Sequence, residues 1–160
     1  LWADCLKKSP NKPRPLYNYG RELAAAGHAS EALTYYDKAI KVNPRFYDAY
    51  YNRGIAYGKL GNHSQAIGNF DRAIEIKPKY AEAYNSRGIA YNNLGNYTLA
   101  IGNFDRAVEI KPTFAEAYYN RGIAYNNLGN HNQAIENFKI ASKLGSKASQ
   151  DFLRKQRIDW

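Results

Sequence analysis

The chain contains no methionine, one cysteine and no long apolar segment. A membrane-spanning helix needs about 20 apolar residues, and no run approaches that length, so we expect no membrane insertion by these 160 residues. A single cysteine cannot form an internal disulfide, which leaves the redox compartment undetermined. The sequence carries no secretory signal pattern, and it leaves the localisation unknown. Because the chain opens on Leu1 and lacks methionine, we interpret it as a piece of a longer protein.

Residue patterns that carry catalysis are also missing. The sequence has no serine–histidine–aspartate arrangement, no glycine-rich phosphate loop and no cluster with metal-ligand spacing. The histidines His28, His63 and His131 fall in predicted turns, too far apart to share a metal ion. Acidic pairs such as Asp71 and Glu75 recur along the chain, which indicates a role in the scaffold. We therefore predict no catalytic residue, no cofactor, no metal and no enzymatic activity.

Basic residues outnumber acidic ones, 23 to 14, and the formal net charge is +9. Such a balance fits nucleic acid, an anionic membrane or simply a solvated surface. A nucleic-acid footprint gathers its cations on one stripe, whereas here they are spread over the whole chain. The distribution disfavours nucleic acid, and we expect a protein or a peptide as the partner.

Tyrosine is abundant, with 15 of 160 residues, and it follows a pattern that recurs every 34 residues. In the copy at 81–114, Tyr84, Gly88 and Tyr91 share one face of a helix. Ala100 and Phe104 share a face in the second half of the copy. The small residues let two helices approach each other, and the aromatic rings fill the remaining space. Each copy therefore predicts a pair of antiparallel helices.

Glycine and proline mark where these helices end. Gly95 supplies the left-handed residue that closes the first helix, and Pro112 stops the second because it lacks an N–H donor. The same punctuation in the other copies predicts helices at about 14–26, 30–42, 47–60, 64–76, 81–94, 98–110, 115–128 and 132–143.

The order of these residues resembles the tetratricopeptide repeat, in which a large residue, glycine and tyrosine precede alanine, phenylalanine and proline at a period of 34. The matching positions are Leu16, Gly20, Leu23, Ala32, Tyr36 and Pro44 in the first copy, Tyr50, Gly54, Tyr57, Ala66, Phe70 and Pro78 in the second, Tyr84, Gly88, Tyr91, Ala100, Phe104 and Pro112 in the third, and Tyr118, Gly122, Tyr125, Ala134 and Phe138 in the fourth. The resemblance implies an all-α fold, an α-solenoid of antiparallel helix pairs forming a right-handed superhelix with one continuous core.

We divide the chain on this basis. The segments are 1–12 (second helix of a truncated preceding repeat, or a leader), 13–46, 47–80, 81–114 and 115–146 (four repeats), and 147–160 (a capping helix at 147–157 and a tail). In the leader, Trp2 and Cys5 take core positions of a second helix, so Cys5 is interpreted as a buried thiol. The leader is also similar to the junction in multi-pass membrane proteins of the glycosyltransferase type that carry such repeats as a tail.

One position departs from the family pattern. Arg53, Arg87 and Arg121 stand where the family usually has leucine. Two explanations remain open: an ion pair with Asp71 or Asp105 in the partner helix, or an aliphatic stem along the core with its head in water.

The resemblance places the first helix of each repeat on the inner, binding surface. Asparagine recurs there at Asn18, Asn52 and Asn120, with Ser86 interrupting the series, and its amide can bind a peptide backbone. This ladder is similar to the one in the O-linked N-acetylglucosamine transferases. Isoleucines and tyrosines form a second series, although the isoleucines could equally be half-buried under the next repeat. The candidate groove residues are Asn18, Tyr51, Asn52, Asn85, Ile89, Asn92, Tyr119, Asn120, Ile123 and Asn126.

Three functions are compatible with the sequence. The first is a non-catalytic scaffold that binds an extended peptide or a partner helix in its concave groove. The second is the substrate-presenting C-terminal tail of a membrane-bound glycosyltransferase-type protein. The third is self-association through the terminal helices, because the end of a repeat array exposes an unpaired face.

Overall fold

The computed structural model describes residues 12–159, and within them it contains nine helices and no strand. The helices are α1 (Pro13–Ala25), α2 (Ala29–Val42), α3 (Tyr47–Lys59), α4 (His63–Ile76), α5 (Ala81–Asn93), α6 (Tyr97–Ile110), α7 (Ala115–Asn127), α8 (His131–Lys143) and α9 (Lys147–Lys155). The predicted all-helical solenoid of paired helices is confirmed, and every helix end lies within two residues of the predicted one. The predicted leader helix, with Trp2 and Cys5, lies outside the described residues, as does Trp160.

The chain divides into two compact units at the boundary between Pro78 and Lys79. The expectation of one continuous core stays a prediction, because the two units are described separately. The boundary between them falls where one repeat ends and the next begins. Unit 1 contains α1–α4 and unit 2 contains α5–α9.

Within each unit, consecutive helices pack side by side. Three-residue turns join the two helices of a pair, which makes them antiparallel. At the end of α5, Gly95 has a φ of 77°, and the Asn96 N–H donates to the Tyr91 carbonyl over 2.9 Å. This turn confirms the helix stop that Leu94-Gly95-Asn96 predicts, because a left-handed residue satisfies the last carbonyls of the helix.

A glycine on the first helix of each pair meets an aromatic ring on the second. Phe104 is completely buried, and its ring lies where Gly88 has no side chain. A Cβ built on Gly88 would lie 2.6 Å from Phe104 Cε1, well inside the contact distance of two carbon atoms. Gly54 with Phe70 and Gly122 with Phe138 show the same geometry. The pair can therefore close only around glycine.

The arginine at the departing position links two repeats. Arg121 Nη1 lies 2.5 Å from Asp105 Oδ1, and Arg121 Nε donates to Asn137 Oδ1 over 2.7 Å. Asp105 belongs to the preceding helix pair and is about half exposed, whereas Asn137 lies in the partner helix α8 and is buried. The ion pair thus exists, but it reaches the preceding repeat. In the partner helix, Arg121 meets the amide of Asn137 and not the carboxylate that we expected there.

Replacing Gly88 with alanine should destabilise unit 2 by about 1–3 kcal/mol, because the buried Phe104 ring must shift. Gly102→Ala is the matched control, since Gly102 is exposed on the neighbouring helix and a Cβ there would meet nothing within 4 Å. That change should stabilise the protein by about 0.5–1 kcal/mol through helix propensity. Urea denaturation of both variants measures the difference, and equal stabilities would show that the glycine–ring contact does not set the packing.

Tyr36 provides a second test, because it takes the aromatic position of the first pair and is 1% exposed. Burial raises its pKa from 10 to about 12. The folded state therefore favours the neutral phenol, and this contribution is present below pH 10 and lost as the pH rises towards 12. By pH 12 the wild type should lose about 2–3 kcal/mol more stability than Tyr36→Phe. Denaturation of the two proteins at pH 7 and at several values above 10 measures the effect, and parallel pH profiles would contradict it.

Candidate functional site

The predicted groove residues all lie on the first helices of the pairs, which are α1 and α3 in unit 1 and α5 and α7 in unit 2. We call the side of these helices that carries them the first-helix surface of each unit. Most of these side chains are half-buried, namely Asn18, Tyr51, Asn52, Ile89, Asn92, Tyr119, Asn120 and Ile123. Asn126 is exposed, whereas Asn85 is only 3% exposed.

In unit 1, the amide of Asn52 is held in one orientation. Its Nδ2 donates to the main-chain carbonyl of Asp48 and to the hydroxyl of Tyr17, each over 3.0 Å. A carbonyl can only accept, so the amide nitrogen must face Asp48. Both N–H donors of Asn52 are then used, and its Oδ1 has no partner among residues 12–159. The group left for a ligand is therefore an acceptor.

A shallow pocket of about 220 Å³ lies beside this amide. Arg21, Asn52 and Lys59 supply its polar lining, and Tyr36 and Ile55 supply apolar lining. The sequence analysis did not select Arg21 and Lys59. Both lie on first helices, Arg21 one turn after Asn18 and Lys59 two turns after Asn52. This spacing was the sequence signal that could have identified them.

In unit 2, Asn85 joins Glu116 and Asn120 in a chain of hydrogen bonds. Asn85 Nδ2 donates to Glu116 Oε1 over 3.1 Å, and Asn85 Oδ1 accepts from Asn120 Nδ2 over 3.1 Å. The carboxylate can only accept, so it fixes the direction of both amides. Asn85 is thus a buried connector between α5 and α7. Asn120 Oδ1 has no partner in the part of unit 2 that the structure describes.

Further along the same surface, amides again connect neighbouring helices. Asn127 Nδ2 donates to Asn92 Oδ1 over 3.3 Å, and the ring Nδ1 of His131 lies 2.9 Å from Asn126 Oδ1. The first-helix surface of unit 2 therefore carries a row of polar side chains whose positions are fixed by their neighbours.

The aromatic and aliphatic candidates pack inward. The ring of Tyr51 lies 5.9 Å from that of Phe70, and the ring of Tyr119 lies 5.7 Å from that of Phe138. Ile89 packs against the core around Phe104, and Ile123 packs against the core around Phe138. Both isoleucines are half-buried, and their part in binding stays a prediction.

Two further searches bear on other classes of function. No group of histidine, cysteine, aspartate and glutamate that could hold a metal ion occurs within residues 12–159. Across the same residues, each helix is too short or too polar to cross a membrane.

Comparison with protein families gives matches along most of the chain. A model described as TPR repeat matches residues 20–61 and 90–129, just over half of the chain. Models described as Tetratricopeptide repeat match residues 47–80 and 115–144 in one case and 69–102 in another.

Solved structures of similar fold cover most of the chain. A crystal structure of MamA is 29% identical with a TM-score of 0.83, covering 93% of this chain and 87% of that one. MamA from Desulfovibrio magneticus RS-1 is 26% identical with a TM-score of 0.82, covering 89% and 81%. Cut9–Hcn1, an APC/C hetero-tetramer, matches at 23% identity with a TM-score of 0.84, covering 91% of this chain and 28% of that chain. This last likeness shows the fold alone.

A curated enzyme matches over a short stretch. The UDP-N-acetylglucosamine–peptide N-acetylglucosaminyltransferase of Giardia intestinalis is 44% identical over 46 residues. These residues are 29% of this chain, and they span only 3% of the length of the enzyme.

Repeats of this type generally mediate contacts between proteins and are generally non-catalytic, so the matched models and structures support a protein-interaction scaffold. Both the repeat spacing and the helix pairs agree with the matched models, and the chain belongs to the tetratricopeptide repeat family.

Proposed function

We propose that the first-helix surfaces bind an extended peptide segment of a partner protein, without catalysis. The observation that carries this proposal is the state of the asparagine amides. Asn52 and Asn120 each donate to a side chain of the preceding repeat, and within residues 12–159 each keeps an Oδ1 without a partner. The amides are thus held in place before any ligand arrives, which lowers the entropy cost of binding.

An unpaired amide oxygen suits the main chain of a peptide. Every residue of an extended peptide except proline offers one N–H donor, whatever its side chain. First helices of successive repeats lie on the order of 10 Å apart, and an extended chain advances about 3.3 Å per residue. Within unit 1, Asn18 and Asn52 stand on the first helices of successive repeats, so their amides would meet peptide residues about three apart. In unit 2 the same position of the third repeat is Ser86, and Asn120 supplies the amide. This arrangement binds the backbone and leaves sequence preference to neighbouring pockets.

A second candidate function is the presentation of protein substrates to a catalytic domain on the same polypeptide. The match to the Giardia transferase favours it, because that enzyme is named for its action on peptides. The sequence upstream of Leu1 distinguishes the two candidates, since a scaffold needs no catalytic domain there.

Self-association of the terminal helices is a third candidate, and light scattering over a range of protein concentrations tests it.

The test of peptide binding uses peptides selected from a random 12-residue display library against the intact chain. Asn52→Ala and Asn120→Ala should each weaken the binding of a selected peptide about threefold to tenfold, because each removes one acceptor and frees its neighbours. Fluorescence anisotropy measures the affinities, and circular dichroism checks that the variants stay folded.

Asn132→Ala is the matched control, since Asn132 is exposed on the second helix α8 and should leave the affinity unchanged. If both groove variants bind the selected peptides as tightly as this control, the asparagine amides have no part in binding. If the library yields no binder, the proposal of an extended peptide ligand fails.

A further inference from the structure

A separate pocket of about 300 Å³ lies at the end of unit 2, where α9 packs on α8. Its apolar lining comes mainly from Ile135 and Phe138 of α8, and from Phe152 and Ile158 in and after α9. Asn126, His131 and Gln156 add polar groups, and the ring Nδ1 of His131 lies 2.9 Å from Asn126 Oδ1. Among ligand sites, which run from about 300 to 1,000 Å³, this volume is at the small end and suits one large side chain rather than a cofactor.

The turn after α9, beside this pocket, has an unusual backbone conformation. Arg157 has a φ of 56°, whereas every other left-handed residue within residues 12–159 is a glycine. It ends α9 as glycine ends the earlier helices, since the Ile158 N–H donates to the Leu153 carbonyl over 3.0 Å. The turn places Ile158 in the pocket lining. A residue with a Cβ costs about 1–2 kcal/mol in this conformation, so glycine would serve the fold better.

Arg157 carries an exposed charge that forms no ion pair within residues 12–159. Arg157 lies between Gln156 and Ile158, which both line the pocket. The chain that precedes it is basic, because residues 136–159 contain six lysines and arginines against one glutamate and two aspartates. The glutamate, Glu136, pairs with Lys139 at 3.9 Å. One of these aspartates, Asp151, already pairs with Arg154 at 3.3 Å.

These observations lead us to propose a docking site for an acidic peptide segment of a partner protein. A large apolar side chain of the segment enters the pocket between α8 and α9, and a neighbouring carboxylate pairs with Arg157. This site explains both the unfavourable backbone conformation of Arg157 and its lack of a described ion-pair partner, because the charge contributes to binding and not to folding. The pocket includes Asn126 of the first-helix surface, but neither Asn52 nor Asn120 lines it, and the site does not depend on those two amides.

The probe is a fluorescein-labelled octapeptide of aspartates and glutamates with one central phenylalanine. Arg157→Gly should weaken its binding about fivefold, the effect of one partly exposed ion pair, and should leave the thermal midpoint unchanged or higher. Lys147→Ala is the matched control, because it removes one exposed positive charge at the other end of α9 and should leave the affinity unchanged. Gln156→Trp should abolish binding by filling the pocket.

Two control peptides test the chemistry of the ligand. Replacing the phenylalanine by alanine, or the acidic residues by lysine, should remove most of the binding. Asn120→Ala should have no effect, which separates this site from the amide of Asn120.

Equal affinities of Arg157→Gly and Lys147→Ala would overturn the proposal, as would an absence of binding at millimolar peptide. Trp160, which lies outside the described residues, is tested as the competing occupant. If Trp160→Ala creates binding that the wild type lacks, the pocket belongs to the chain itself and not to a partner.

Discussion

The contact between a glycine on one helix and a buried aromatic ring on the next determines the rest of this structure. Gly54 with Phe70, Gly88 with Phe104 and Gly122 with Phe138 bring the two helices of a pair so close that no Cβ fits. The ring in each pair then forms part of the core. Because interiors pack to near-crystalline density, such a contact leaves little freedom in the angle or register of the pair.

The candidate binding surface depends on this contact through its position on the same helix. Tyr51 and Asn52 precede Gly54 by three and two residues, and Tyr119 and Asn120 precede Gly122 in the same way. The tyrosine packs on the ring that faces the glycine, and the asparagine beside it turns towards the preceding repeat. The core contact thus fixes both the location of the amide and its hydrogen-bond partner. The recognition that we propose for this surface is in this sense a consequence of how the pair packs.

The sequence predicted the helices closely because glycine and proline are local signals that act within one turn. It could not predict the partners of Arg121, since Asp105 and Asn137 each stand 16 positions away and only packing distinguishes the preceding repeat from the partner helix. For a related reason the sequence could not show that Asn85, a candidate groove residue, is buried. It stands where other repeats have tyrosine, and its smaller side chain is buried between Glu116 and Asn120.

Departures from the repeat pattern are therefore the most informative positions in this chain. The repeat rule explains residues that hold the array together, such as the glycines that end its helices. Where the rule is broken, the side chain must be explained by something else. At Asn85 the structure supplies the reason, because its amide orients Asn120 across the two helices. At Arg157 the described residues supply no such reason. An arginine in this left-handed conformation closes the helix no better than glycine would, and it forms no ion pair with a described carboxylate. A residue that lowers the stability of the fold and gains no contact within it points to a role in binding.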